Sequence, residues 1–102
     1  MRSGKIASEE YKDNPLTSCG TVRYWAAAKA AAGRHEETFT ASTLSDLLEQ
    51  VRQKYEGNAA MLAVLARSSF LVNATPVGVR PHHEVVLEPG WIVEVLPPFA
   101  GG

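Results

Sequence analysis

Trp91-Ile92-Val93-Glu94-Val95-Leu96-Pro97-Pro98-Phe99-Ala100-Gly101-Gly102 closes the sequence, and its two halves behave oppositely. Residues 91–96 are β-branched or bulky apolar at every position but one, which makes them the strongest strand of the chain. Their near-continuous apolarity suits a central strand. Pro97 and Pro98 end it, because neither supplies a backbone N–H and both favour an extended polyproline course. Phe99 offers one apolar anchor, and Ala100, Gly101 and Gly102 leave almost no side chain. Six extended residues reach at most ~20 Å, enough to enter a neighbouring protein's active site. A thin terminus of this kind suits chemistry on the terminal carboxylate, which is a poor electrophile and must first be activated, for example as an acyl-adenylate. Gly-Gly alone is weak evidence, since chain ends commonly fray; a strong strand, a double proline and Gly-Gly together are more specific.

Outward from that block, 102 residues are one domain's worth, with 45% apolar and 21% charged residues. Ten Lys and Arg against eleven Asp and Glu give a net charge of −1, which argues against nucleic acid. There is no apolar run of transmembrane length and no secretory h-region. The lone Cys19 excludes a disulfide framework or a multi-cysteine zinc site. The simplest reading is a small intracellular domain without metal or membrane contact. After Arg80 there is no Lys or Arg, while Glu84, Glu88 and Glu94 remain, so a partner of this segment is expected to be basic unless the glutamates are merely solvated.

Residues 1–18 lack periodicity and read as an extension. Thr21 to Trp25 alternates as a strand, with Val22 and Tyr24 on one side and Thr21, Arg23 and Trp25 on the other. Ala26 to Ala32 sustains a turn or two of helix before Gly33. His35 to Phe39 is a second strand, pairing with the first. The clearest helix is Thr43–Tyr55, where Leu44, Leu47, Leu48, Val51 and Tyr55 form one apolar stripe behind a Ser42 or Thr43 cap completed by Asp46. Ala59 to Arg67 is a further helix facing Met61, Leu62, Val64 and Leu65 inward. Phe70 to Asn73 and Glu84 to Leu87 read as strands, the latter short and followed by the turn Glu88-Pro89-Gly90. One sheet covered by a principal helix, an α+β domain, buries these faces most economically.

From about residue 20 onward the chain resembles the small sulfur-carrier subunit of molybdopterin synthase, in the MoaD/ThiS-like, ubiquitin-related family. The residues that carry the likeness are Val22-Arg23-Tyr24-Trp25-Ala26 with Lys29 and Gly33, Thr43-Leu44-Ser45-Asp46-Leu47-Leu48, Leu71-Val72-Asn73, Pro89-Gly90 and, most specifically, Val93 to Gly102. It implies a ubiquitin-like β-grasp fold over residues 19–96, with a mixed sheet of four to five strands and one main helix, and a functional tail at 97–102. The last strand would then lie centrally, parallel to the first, whereas adjacency alone would pair it with Glu84–Leu87. The resemblance further implies that an E1-like enzyme adenylates Gly102 with ATP and that a sulfur donor converts it to a thiocarboxylate. The tail would enter the large synthase subunit and give sulfur to a pyranopterin precursor, in a cytoplasmic hetero-oligomer. The carrier is then a co-substrate, not a catalyst by itself, with no permanently bound cofactor. Lys29 stands where the family usually has arginine, Trp91 where an acidic residue is frequent, and Phe99 where a small aliphatic is usual.

The site expected on these grounds is Gly102 with Gly101 for access, and a partner surface of Pro97, Pro98, Phe99, Ala100, Trp25, Trp91 and Lys29. For Trp25 and Trp91 ordinary core packing competes on equal terms. Cys19 is expected to be incidental, and His82-His83 an exposed loop pair and not a metal site. Rival functions are a carrier for thiazole or cysteine biosynthesis, a ubiquitin-like modifier, or a plain interaction module with an inert tail.

Overall fold

The computed structural model describes residues 17–98. In chain order they form β1 (Ser18–Tyr24), α1 (Ala26–Ala32), β2 (Glu36–Ala41), α2 (Leu44–Lys54), α3 (Ala59–Arg67), β3 (Ser69–Val72), β4 (Thr75–Pro76), a 3-10 turn at His82–Glu84, and β5 (Trp91–Leu96). Burial alternates along β1 and β5, so Val22, Tyr24, Trp91, Val93 and Val95 face the helices while Cys19, Arg23 and Glu94 lie on the other face. Among the described residues the strands make one five-stranded sheet in the order β2-β1-β5-β3-β4. β5 is central and parallel to β1, and its other neighbour, β3, is antiparallel. This is the β-grasp arrangement, with a mixed sheet.

Each helix end has a local cause. Thr43 Oγ1 accepts from the Asp46 amide at 3.1 Å, and Asp46 Oδ2 accepts from the Ser42 amide at 3.1 Å, so α2 begins with a reciprocal capping pair. The stripe of α2, Leu44, Leu47, Leu48 and Val51, is buried and packs with Met61, Val64 and Leu65 of α3 over the sheet. Each such side chain contributes about 1.5–3 kcal/mol. Leu62 is only partly covered. Asn58 caps α3 by accepting from the Met61 amide at 3.0 Å and also donates to the Ala31 carbonyl at 3.0 Å, tying α3 to α1.

Two expectations require correction. Glu84–Leu87 is not a strand: after the 3-10 turn, Val85 and Leu87 insert into the core while Val86 is exposed. The backbone bonds of this segment go to the start of α2, with Leu44 N donating to the Val85 carbonyl and Leu87 N to the Ser42 carbonyl. Alternation here records an extended plug over the helix end, whose one antiparallel bridge, Val86 with Thr43, runs to the residue before α2 and not to a strand of the sheet. The fifth strand is instead β4, two residues long and holding Pro76, which an edge tolerates. It follows a two-residue turn in which Asn73 and Ala74 both have positive φ, 50° and 69°.

Trp91 is the second correction. It is 1% exposed, with Nε1 donating to the Ser18 carbonyl at 2.9 Å, so it packs in the core and offers no exposed surface. Its ring lies over Gly20, where a Cβ would stand 2.1 Å from the indole. Only glycine lets strand and ring approach this closely.

The core also holds a carboxylate. Glu37 of β2 is 9% exposed, and its Oε2 accepts from the hydroxyls of Tyr24 and Tyr55, each at 2.6 Å. Its Oε1 accepts from Lys54 Nζ and faces Arg34 Nη1 at 3.5 Å. Burial alone would raise the Glu37 pKa, but the hydrogen bonds from Lys54, Tyr24 and Tyr55 outweigh it and hold the group below its usual range. Burial and the bond to Glu37 push the Tyr24 hydroxyl up and Tyr55 up to about 12.

Candidate functional site

The parallel pairing of β1 and β5 decides what surrounds the start of the tail. Its last pair is Tyr24 with Val95, and Trp25 N extends the ladder by donating to the Val95 carbonyl at 3.3 Å. Pro97 and Pro98 then offer no donor, so the sheet stops there. Trp25 is simultaneously the N-cap of α1, its carbonyl accepting from Ala28 N at 2.9 Å and Lys29 N at 3.3 Å. The next residue, Ala26, is forced into left-handed backbone at φ 49°, a cost on the order of 1 kcal/mol for a non-glycine residue.

Trp25 is 47% exposed, and its Nε1 donates to Glu94 Oε2 at 3.1 Å across the sheet. It separates two hollows. One, of about 370 Å³, is lined by Trp25, Arg67, Ser69, Leu96, Pro97 and Pro98. The other, of about 340 Å³, is lined by Arg23, Tyr24, Trp25, Lys29, His35 and Glu36. Arg67 arrives because Ser69, the first residue of β3, pairs with Leu96. Arg23 is neutralised by Glu36 at 3.4 Å, but among the described residues neither Lys29 nor Arg67 has a carboxylate partner. The surface at the tail's base therefore combines an exposed indole with the cations Lys29 and Arg67 and the carboxylates Glu36 and Glu94.

Of the expected site residues, the structure brings Trp25, Pro97 and Pro98 to one hollow and Lys29 to its neighbour. Phe99, Ala100, Gly101 and Gly102 lie outside the described residues, as does most of the 1–18 extension, although Ser18 already belongs to β1. The acidic C-terminal segment does not act as one patch: Glu94 is tied to Trp25, Glu84 faces His83 at 3.7 Å, and Glu88 lies before the opposite end of β5. Arg67 was missed, although the end of a helix two residues before a strand pairing with β5 is where such a cation must fall. Cys19 is exposed on the open sheet face, and the His82 ring stands edge-on to Phe70 at 5.5 Å. No group of three or more His, Cys, Asp or Glu side chains among the described residues could hold a metal ion, and no helix among them is long and apolar enough to cross a membrane.

The model of the ThiS family matches residues 22–102, from β1 through the whole tail. The chain belongs to the ThiS family. Solved structures with the same fold include the small archaeal modifier protein 1 of Methanosarcina acetivorans, with TM-score 0.71 and 21% identity over 84% of this chain and 98% of that one. A putative molybdopterin converting factor subunit 1 from Pyrococcus furiosus has TM-score 0.65 and 22% identity over 80% of this chain and 99% of that one. A chain of the complex of subunits 1 and 2 of molybdopterin-converting factor from Helicobacter pylori has TM-score 0.60 and 20% identity over 82% and 99%. No curated protein sequence matches. At these identities the likenesses establish the fold alone, a β-grasp.

Proposed function

We propose that the protein is a sulfur carrier whose Gly102 carboxylate is adenylated and thiocarboxylated, and that it donates sulfur to the pyranopterin precursor of molybdopterin. The observation that carries the proposal is the release of the chain at Pro97-Pro98 from the end of a central parallel strand, four residues before Gly102. The folded body thus lets the chain depart from one fixed point, with only Phe99, Ala100, Gly101 and Gly102 left in the sequence after Pro98.

In the proposed chemistry, a carboxylate oxygen of Gly102 attacks the α-phosphorus of ATP and expels pyrophosphate, giving an acyl-adenylate. A sulfide equivalent from a sulfur donor then displaces AMP, leaving a C-terminal thiocarboxylate. Gly101 and Gly102 carry no side chain to obstruct either attack at the carbonyl. The protein itself carries Gly102; the adenylating enzyme and the large synthase subunit supply the catalytic groups, in the cytoplasm where ATP is available. No resident cofactor is required of this chain. The molybdopterin acceptor is supported by the likeness to the converting-factor subunits, one of them solved with its subunit 2.

The test is intact mass after incubation with ATP, an E1-like adenylating enzyme and a sulfide source. Replacement of one oxygen by sulfur, lost on deletion of Gly102, is expected. No change with an enzyme active on another carrier refutes the carrier reading. The likeness to small archaeal modifier protein 1 favours a second reading, conjugation of the same activated glycine to a lysine. Lysine-linked adducts in cell lysate, with no sulfur transfer to a pyranopterin precursor, would establish it instead.

A further inference from the structure

β2 borders the sheet, and the ladder on its inner side fixes what its outer side presents. Tyr24 N donates to the His35 carbonyl at 2.8 Å, and in an antiparallel ladder such bonded pairs alternate with unbonded ones. Val22–Glu37 and Gly20–Phe39 are therefore bonded pairs, while Arg23–Glu36, Thr21–Thr38 and Cys19–Thr40 turn their backbone groups away from each other. Two contacts confirm this phase. The Cys19 carbonyl accepts from Gly90 N at 2.8 Å on the β5 side, and the Thr40 carbonyl accepts from Gln50 Nε2 of α2 at 2.8 Å on the outer side. Among the described residues the N–H and C=O of Glu36 and Thr38 meet no partner, and both residues are exposed. The opposite edge is blunted, because β4 has only two residues and one of them is Pro76.

On the helix side of the β2 edge, Phe39 is half-buried, with Lys54 Nζ 5.8 Å from its ring centroid. Next along the strand, the Glu37 carboxylate is shared by Lys54 and Arg34, whose side chains are both half exposed. Arg34, just before β2, also lines a hollow of about 410 Å³ with Lys29, and none of the lining residues is acidic. Cations thus exceed carboxylates where β2 begins. The nearby acids are already engaged: Glu36 pairs with Arg23 on the open face, and Asp46, toward the Ala41 end, accepts from Ser42 N and Gln50 Nε2.

We propose that the β2 edge takes up an extended peptide segment of a partner protein as a sixth strand, with apolar side chains beside Phe39 and an acidic residue meeting Arg34 and Lys29. Strand addition satisfies the four free backbone groups of Glu36 and Thr38, while the side chains select the guest. An antiparallel guest sets alternate side chains on the helix side, opposite Phe39 and Glu37; its next such position falls opposite His35, beside Arg34. An acid there complements the excess of cations. A second copy of this chain fits less well. A two-fold pairing through Glu36 and Thr38 sets Glu37 against Glu37, and one centred on Thr38 needs the Thr40 carbonyl that Gln50 holds. The tail takes no part, so the proposal stands apart from the carrier reading.

The experiment titrates the full chain with the capped peptide Thr-Val-Thr-Val-Thr-Glu-Glu and follows backbone amides by NMR at low salt. Saturable shifts are expected along β2 and at Arg34, half-complete below about 1 mM, with solvent exchange of the Thr38 amide slowed at least about fivefold. The peptide ending in Lys-Lys should bind at least about fivefold more weakly, and salt should close the gap. Thr38→Pro removes the free N–H without breaking a ladder bond and should weaken binding at least about tenfold. Unchanged circular dichroism shows that its sheet is intact; if that variant does not fold, the two peptides still decide. No saturable shift, equal affinity for both peptides, or shifts centred on β4 or the open face overturns the proposal. So does finding the Glu36 and Thr38 amides already protected in the free chain. Protection lost on dilution assigns the edge to a second copy, and protection lost in a chain beginning at residue 17 assigns it to residues 1–16.

Discussion

Replacing Glu37 tests whether a buried carboxylate organises the core between β2 and the end of α2. In Glu37→Leu the hydroxyl of Tyr24, whose side chain is 1% exposed, loses its acceptor, and that of Tyr55, at 9%, loses the same oxygen. Stranding a buried donor costs about 1–3 kcal/mol, and hydrogen bonds to a charged acceptor lie at the upper end. Lys54 adds little, because its side chain is 45% exposed and is resolvated when the pair breaks. The expected loss is therefore about 3–5 kcal/mol, the range for breaking a buried ionic network by removing one partner. For a domain of this size that lowers Tm by about 15–30 °C. Glu37→Gln, which keeps an acceptor and the shape, should lose about half as much. Lys54→Met should lose under about 1 kcal/mol. The sign of the pH dependence follows from the depressed folded-state pKa. The carboxylate's contribution is fully present above the unfolded glutamate pKa and disappears as pH falls through the lower folded value. Urea melts from neutral pH down to about pH 3 should show wild type converging on Glu37→Gln, whose own acid dependence is shallower. A Glu37→Leu loss under about 1 kcal/mol, or parallel acid profiles for wild type and Glu37→Gln, would refute the reasoning.

Three further substitutions probe the scaffold. Gly20→Ala places a Cβ 2.1 Å from the Trp91 ring and should destabilise by about 3 kcal/mol; combined with Trp91→Leu, the loss in urea should fall short of the sum of the singles by at least about 1 kcal/mol. Ala74→Gly, at φ 69° in the turn between β3 and β4, should stabilise by about 1 kcal/mol, read as a Tm increase of about 4–8 °C. Asn58→Ala removes both the cap of α3 and the bond to Ala31 and should cost about 1–2 kcal/mol in urea unfolding.

The parts of the fold that were legible are those where one physical demand governs a run of residues. The α2 stripe repeats at helical spacing and Thr43 with Asp46 marks its start, so the helix was placed within two residues of its observed span. Trp91–Leu96 was readable as a strand, though local pattern could not choose its neighbours; pairing parallel with β1 across seventy intervening residues leaves no trace in spacing. Glu84–Leu87 shows the opposite failure, in which burial alternates but the hydrogen bonds go to a helix start. Trp91 was ambiguous because size and apolarity suit both a core and an interface; Gly20, its register partner, decides it, and only the pairing reveals that partner. Glu37 did leave a signal. It falls in phase with Phe39 and Ala41, on the face that the strand buries, where an acid requires donors; Tyr24 and Tyr55, also in inward phase, supply them.

The tail motif could be read from the sequence and the residues around its base could not, for a topological reason. Parallel strands end at the same edge of a sheet, so pairing β1 with β5 sets Trp25, the residue after one strand, beside Leu96, the end of the other. An antiparallel neighbour begins where its partner ends, so β3 brings its first residue, Ser69, and the helix terminus before it to that same edge. Trp25 and Arg67 are thus forty-two positions apart in sequence and adjacent at Pro98 because of strand order alone. A substitution that preserves the Gly-Gly tail but changes these neighbours alters what the tail's partners meet first. On the carrier reading proposed above, the reacting carboxylate would belong to Gly102, and what distinguishes one carrier from another would lie at the end of the sheet from which residues 97 and 98 depart.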